Sequence, residues 1–156
     1  MIWVSRNLPA AMSTMSDAKQ QFVDTNILIY AYDLAAGEKH QMSQALLTEL
    51  WSTEKACLSI QVLQEFYVNA TKRSVQPLSP EKAFQVIRDL STLPVHRPGV
   101  TDVISAIELH ERYQVSFWDA MILRSAQQLG CEILLSEDLS DGQDYGGVKV
   151  VNPFKK

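Results

Sequence analysis

Short apolar runs alternate along this chain with longer segments in which apolar residues recur every three or four positions. The short runs predict strands at residues 21–23, 56–60, 132–136 and 148–151, with a weaker strand at 93–96. The longer segments predict helices at 27–33, 39–51, 61–73, 80–90, 101–113 and 116–129. Strands that alternate with helices predict an α/β fold with a central, mostly parallel sheet of four to five strands, covered by helices on both faces.

Capping residues mark several of these helix boundaries. Ser79 followed by Pro80 is a strong helix start, because serine caps the first turn and proline is well tolerated at the first helical position. Ser116 begins another helix in the same way, and Gly130 ends it. Gly37 separates the first two helices.

The length of the chain bounds its organisation. A chain of 156 residues with 46% apolar residues is one domain with a continuous core. We assign that domain to residues 21–156 and treat residues 1–20 as an N-terminal extension of unknown role. The longest apolar runs reach about a third of a membrane span, and no secretory signal pattern is present. We therefore expect a cytoplasmic protein that does not enter a membrane.

Four carboxylates stand beside apolar segments in four separate parts of the sequence. Asp24 ends the first predicted strand, and Asp138 follows a late one. Glu65 and Asp119 fall in the first turns of two helices. Because ligands bind at the carboxyl ends of parallel strands, all four side chains are expected to face one crevice.

Such a cluster requires positive charge. Two like charges about 5 Å apart repel by roughly 3 kcal/mol at an effective dielectric constant near 20. Hard oxygen ligands favour Mg²⁺ or Mn²⁺, and these ions support hydrolysis of phosphodiester bonds by water. The sequence therefore predicts a metal site for phosphodiester chemistry.

In order and local context, these segments resemble the PIN-domain family of metal-dependent ribonucleases, and among them the VapC-type toxins of toxin–antitoxin pairs. The resemblance extends from about residue 21 to residue 154 and implies a three-layer α/β/α fold, an antitoxin partner, a homodimer and RNA products with a 5′-phosphate. It also implies the metal-binding and catalytic residues, which are Asp24, Glu65, Asp119 and Asp138. The polar helpers beside them are Thr25, Asn26 and Ser136. Many family members carry a second Asp two residues after the last carboxylate, where this chain has Ser140, so a role for Asp141 stays open.

Each carboxylate also has a purely structural explanation. Asp24 is a good N-cap, and Asp119 stands three residues after Ser116, as in a capping box. Glu65 fits a solvated helix surface, and Asp138 fits a turn. The conjunction of the four favours the metal site.

Several other residues are assigned to the structure rather than to a site. Cys57 and Cys131 are expected in the core. The three histidines share no ligand spacing, so zinc is not expected. Four scattered arginines are expected in solvent: Arg88, Arg97, Arg112 and Arg124. For Trp118, core packing is favoured over stacking on a nucleic-acid base.

The formal net charge of −4 argues against a general nucleic-acid-coating protein, although a carboxylate cluster inflates the acid count and bound cations supply local positive field. Two alternatives remain. One is a PIN scaffold that binds RNA or a partner without cutting. The other is a magnesium-dependent phosphatase of the haloacid-dehalogenase type, although that type needs a second Asp where this chain has Asn26. A receiver-type signalling domain lacks its paired acids and late-strand Lys here.

A homodimer would cover apolar helix surface. The apolar faces at residues 27–32 and 42–50 are candidates for this contact, although the sequence alone does not separate a dimer surface from the core.

Overall fold

A parallel five-stranded sheet forms the centre of the molecule in the computed structural model, which describes residues 19–156. The strands are β1 (Gln21–Val23), β2 (Ala56–Ser59), β3 (Val95–His96), β4 (Ile133–Leu135) and β5 (Lys149–Val151). The helices are α1 (Thr25–Tyr32), α2 (Glu38–Ser52), α3 (Ile60–Lys72), α4 (Pro80–Leu90), α5 (Val100–Tyr113) and α6 (Phe117–Gln128). A short 3₁₀ helix, Leu34–Ala36, joins α1 to α2.

Strand β1 lies at the middle of the sheet, whose order is β3-β2-β1-β4-β5. Phe22 of β1 lies opposite Cys57 of β2 on one side and Leu134 of β4 on the other. Every strand pair is parallel, so the carboxyl ends of the strands share one edge. The predicted α/β fold with a mostly parallel sheet is confirmed, with five strands and six α-helices in residues 19–156.

Local capping explains where the helices begin. Helix α1 begins at Thr25, two residues earlier than predicted, because the Asp24 side chain already caps its first turn. Ser59 caps α3, which ends strand β2 one residue earlier than predicted. The predicted caps Ser79 and Ser116 are confirmed. Gly130 follows α6 with φ of 71°, a conformation that glycine adopts without strain.

The apolar core lies on both sides of β1 and includes the faces that the sequence suggested for a dimer. Ile27, Leu28 and Ala31 of α1 are buried within this chain, as are Leu47 and Leu50 of α2. Of the two alternatives that the sequence left open for these faces, dimer contact and core, the structure shows the core. These apolar faces are buried inside the molecule because α1 packs against both α2 and α3.

Helix α5 carries the most regular row of exposed apolar side chains in the described residues. Val100, Val103, Ile104 and Ile107 are 78%, 38%, 54% and 48% exposed. Their spacing places them on one side of the helix. The opposite side buries Ala106 and packs against α6.

An ion pair joins α5 to α6. Arg124 donates from Nε to Asp102 Oδ1 at 2.9 Å, and its side chain is only 22% exposed. The expectation that Arg124 is solvated is therefore wrong, because Asp102 lies buried across the helix contact and requires a partner. His96 Nε2 lies 3.5 Å from the other carboxylate oxygen.

The two cysteines are buried and free, as the prediction of core positions requires. Residues 1–18 of the predicted extension lie outside the described residues. Within residues 19–156, no helix is both long and apolar enough to cross a membrane.

Candidate functional site

Asp24 is the most buried of the four predicted site carboxylates, with 5% of its surface exposed. It stands where β1 ends and α1 begins. Its Oδ1 accepts a hydrogen bond from the Thr25 backbone N–H at 2.7 Å, and its Oδ2 accepts one from Ser136 Oγ at 2.6 Å. The capping explanation of Asp24 is thus correct for one oxygen, while the other oxygen faces the end of β4.

Burial raises the pKa of Asp24 to about 7. The hydrogen bonds from Ser136 and Thr25 lower it in part, and the nearby charges of Asp138 and Glu65 raise it further. Removing a carboxylate from water disfavours its charged form, and like charges add to that cost. A cation at this position would reverse both effects.

Glu65 reaches the same edge from the second turn of α3. Its Oε2 accepts a hydrogen bond from Thr25 Oγ1 at 2.7 Å, and its Oε1 accepts one from Gln61 Nε2 at 2.9 Å. The predicted helper Thr25 therefore holds Glu65 through its hydroxyl, while its backbone N–H donates to Asp24. Gln61 was not predicted. Its position one turn before Glu65 was the available signal.

Asp138 is held by both of the other predicted helpers. Asn26 Nδ2 donates to Asp138 Oδ2 at 2.9 Å, and the Asp138 backbone N–H donates to Ser136 Oγ at 3.1 Å. Ser136 therefore connects Asp24 with the backbone of Asp138. The Oδ1 atom of Asn26 is buried and has no hydrogen-bond partner among the described residues.

Asp119 lies in the first turn of α6, and its backbone N–H donates to Ser116 Oγ at 3.0 Å. Burial raises the pKa of its carboxyl, a hydrogen bond from Ser116 lowers it, and the charges of Asp138 and Glu65 raise it. Because the same two acids act on both Asp24 and Asp119, the four carboxylates share one electrostatic environment at the carboxyl edge of the sheet.

A second cluster, which the sequence analysis missed, fixes the loop that carries Asp138. Glu137 accepts hydrogen bonds from Tyr30 Oη and, at 2.6 Å, from Lys39 Nζ. The Lys39 ammonium also lies 4.9 Å from the centre of the Tyr30 ring and 5.3 Å from that of Phe154. Tyr30 and Lys39 lie 107 and 98 positions from Glu137 in the sequence, so no local spacing predicts these contacts.

Asp141 points elsewhere. Its Oδ1 accepts a hydrogen bond from the Asn152 backbone N–H at 2.8 Å, and its Oδ2 lies 3.6 Å from Lys155 Nζ. The structure therefore assigns Asp141 to the attachment of the C-terminal segment, and we leave it out of the proposed site.

The donor chemistry of the cluster fits a hard cation such as Mg²⁺, because every available ligand atom is oxygen and the Asn26 Oδ1 atom is an unpaired acceptor. Across residues 19–156, no group of three or more His, Cys, Asp or Glu side chains is arranged to hold a metal ion. The carboxylates instead accept hydrogen bonds from Thr25, Asn26, Gln61 and Ser136.

A family model described as "PIN domain" matches residues 22–140, about three quarters of the sequence. The chain belongs to the PIN-domain family. The matched range of this PIN domain includes all four carboxylates and stops one residue before Asp141. Membership of the family leaves the haloacid-dehalogenase alternative without support.

Solved structures with this PIN fold include a toxin–antitoxin complex from Klebsiella pneumoniae, with 25% identity and a TM-score of 0.63, which covers 88% of this chain and 100% of that one. Two others show the fold alone. VapC20 of Mycobacterium tuberculosis, described as a sarcin-ricin loop cleaving toxin, is 18% identical over 76% of this chain and 90% of its own, with a TM-score of 0.59. DNA-bound VapBC from Salmonella typhimurium is 21% identical over 85% and 96%, also with a TM-score of 0.59. Among curated proteins, none matches the sequence.

Proposed function

We propose that this protein is a metal-dependent endoribonuclease that hydrolyses RNA phosphodiester bonds, and that it is the toxin of a toxin–antitoxin pair acting in the cytoplasm. The observation that carries the proposal is a hydrogen-bond network at the carboxyl edge of the sheet, in which Ser136 links Asp24 to Asp138, and Thr25 links Asp24 to Glu65. A structural cap or turn former needs no second acid beside it. Here Asp138 and Glu65 raise the pKa of both Asp24 and Asp119.

The four carboxylates would hold Mg²⁺ or Mn²⁺. When bound, the ion supplies Lewis acidity toward the phosphate and lowers the pKa of water. The remaining polar side chains keep the acids in place: Ser136 holds Asp24, and Thr25 and Gln61 hold Glu65. Asn26 holds Asp138. Because the hydroxyls of Ser136 and Thr25 donate hydrogen bonds to Asp24 and Glu65, water is the proposed nucleophile, and the products should carry a 5′-phosphate.

The proposed partners follow from the structural relatives. The Klebsiella protein, at 25% identity, comes from a toxin–antitoxin complex, which supports an antitoxin partner for this chain. A basic side chain of that antitoxin, of which Arg is best suited by its bidentate geometry, would insert among the carboxylates and neutralise them. We also propose that the protein is a homodimer.

The test is cleavage of a panel of labelled RNAs with Mn²⁺ and with EDTA. Wild type should cleave only with the divalent ion. Asp119→Asn should lose at least about 100-fold in rate, the order expected for losing a catalytic charge contact. Asp141→Asn is the matched control, because it removes a nearby acid that is bound to the C-terminal segment, and it should retain activity. Cleavage at full rate in EDTA would refute the proposal.

The same experiment decides the alternative of a scaffold that binds without cutting. A scaffold would bind RNA or a partner equally well with and without Mn²⁺ and would cleave nothing.

A further inference from the structure

Trp118 is 64% exposed, although the sequence analysis favoured a core position for it. One turn later in α6, Ile122 is only 2% exposed. The prediction of core packing is therefore wrong. Its neighbours in the first turn of α6 do pack inward, because Ala120 is fully buried and Phe117 packs against the core, so the exposure belongs to the Trp118 side chain itself.

The position of Trp118 is fixed by the carboxylate site. Gln61 Nε2 donates to the Trp118 backbone carbonyl at 3.2 Å and to Glu65 Oε1 at 2.9 Å, so one amide group holds both. Asp119 is the next residue in the chain. The Phe117 ring packs edge-on against the indole, with ring centres 5.2 Å apart. The backbone of Trp118 is thus held beside the carboxylates, and its indole packs on Phe117 with most of its surface in solvent.

An indole exposed to this extent forgoes hydrophobic stabilisation, because aromatic side chains remove a large apolar area from water when they are covered. The negative charges near Trp118 restrict which ligand can cover the indole. Glu65 and Asp119 repel a phosphate that approaches without a cation, and a net charge of −4 offers little general attraction to a polyanion. A flat, uncharged nucleobase is not repelled by these carboxylates, and any of the four bases can stack on an indole.

We propose that Trp118 is a stacking platform for one unpaired nucleobase of the substrate, next to the phosphodiester that is cleaved. The inference rests on the proposed ribonuclease function and adds a binding residue to it. Gln61 acts as a positioning residue, since it fixes the Trp118 backbone relative to Glu65. Single-stranded RNA, whose bases are free to unstack, is then the expected substrate form.

The test measures binding of a short labelled single-stranded RNA in EDTA, and kcat and KM for its cleavage in Mn²⁺. Trp118→Ala should weaken binding by about 5- to 150-fold, the range for loss of one base–aromatic stack, and should raise KM with little change in kcat. Trp118→Phe should restore most of the affinity, because it keeps a flat ring. Trp118→Leu should not restore the affinity, because leucine is apolar but has no ring on which a base can stack.

Two controls separate stacking from general effects. Phe84→Ala removes another exposed aromatic, 58% exposed on α4, and should leave RNA binding and KM unchanged. RNAs with one abasic nucleotide at a time should include a position at which wild type loses affinity and Trp118→Ala loses none.

The outcomes distinguish the two proposals. If wild type cleaves RNA and Trp118→Ala has the same KM and affinity, the stacking platform is refuted while the ribonuclease stands. That result combined with weakened self-association or antitoxin binding would assign the indole to a protein partner. If wild type neither binds nor cleaves any RNA, both proposals fail.

Discussion

A carboxylate buried at the end of a strand destabilises the folded protein when no cation accompanies it. Asp24 is such a group, because burial and two neighbouring acids raise its pKa. Asn has nearly the same shape, and its Oδ1 can still accept from the Thr25 backbone N–H. Its Nδ2 can donate to Ser136 Oγ, which has a free lone pair.

The first prediction follows from this geometry. Asp24→Asn and Asp119→Asn should melt at the same or a higher temperature than wild type in EDTA, because each removes one repelling charge. Both should show a smaller Mn²⁺-induced rise in melting temperature and lose at least about 100-fold in cleavage rate. An Asp24→Asn protein that cleaves RNA at nearly the wild-type rate would remove Asp24 from the site.

The raised pKa also predicts a pH dependence. In the folded protein Asp24 binds its proton up to a pH of about 7, against an ordinary value of 3.8. Its contribution to stability is therefore fully present below 3.8 and is lost as the pH rises through about 7. In EDTA, wild type should lose melting temperature relative to Asp24→Asn over that interval. A constant difference from pH 4 to pH 8 would contradict the raised pKa.

Two buried serines provide a matched pair. Ser136 is fully buried, donates to Asp24 and accepts from the Asp138 backbone, so Ser136→Ala should lower the free energy of unfolding by about 1–3 kcal/mol. Ser43 is also fully buried, but its hydroxyl has no hydrogen-bond partner in the described part of the chain. Ser43→Ala should be neutral or stabilising. Urea denaturation measures both, and an equal loss in the two variants would show that the serine network is not responsible.

At the scale of elements, the buried ion pair between α5 and α6 is the clearest polar contact between two helices. Asp102 accepts from the Gly99 backbone N–H at 2.8 Å and from Arg124. The Gly99 hydrogen bond is the largest cause of the lowered pKa of Asp102, and Arg124 and His96 lower it further. Burial lowers the pKa of His96 more than Asp102 raises it, so the histidine is mainly neutral near pH 7.

Asp102→Ala should therefore cost about 1–3 kcal/mol of stability, because it leaves Arg124 without its buried partner. A lowered folded pKa means that the contribution is present above the unfolded pKa of about 3.9 and is lost as the pH falls through the folded value. The stability difference from wild type should shrink below about pH 4. Thr101→Ala, an exposed change in the same helical turn, is the control and should change stability by less than about 0.5 kcal/mol.

The elements also show which features the sequence could predict. Strand ends carry local signals, and Asp24 and Asp138 follow apolar runs, so their placement at one edge required only the rule for parallel sheets. The caps at Ser79 and Ser116 depend on contacts three residues away. Both kinds of feature depend on the order of nearby residues.

Contacts between distant residues could not be predicted in this way. Arg124 meets Asp102 only because α5 and α6 pack together, and Lys39 meets Glu137 across 98 positions. Trp118 is exposed although Phe117 and Ala120 in the same turn pack against the core. No local sequence spacing predicts these contacts or the exposure of Trp118, since each depends on the completed fold.

At the scale of the whole molecule, α5 presents an uncovered apolar row within residues 19–156, formed by Val100, Val103, Ile104 and Ile107. This row is self-complementary under a twofold axis. If two copies of α5 lie antiparallel with the axis between residues 103 and 104, Val100 faces the second copy's Ile107, and Val103 faces its Ile104. Glu108 then lies opposite the N-terminal end of the other α5, where the helix dipole favours a negative charge.

The last prediction is that α5 forms the homodimer contact. Wild type should sediment as a dimer whose fraction rises with concentration, and Ile104→Lys should be monomeric at the same concentrations, because it places two cations across the axis in an apolar contact. Since Ile104 is half exposed, the Ile104→Lys monomer should have the same melting temperature as wild type measured at a concentration at which wild type is monomeric. Val75→Lys changes an apolar residue that is 84% exposed and lies outside α5, so it should leave the dimer intact. Wild type that stays monomeric at every concentration would refute the dimer, and an Ile104→Lys protein that still dimerises would move the contact to another surface.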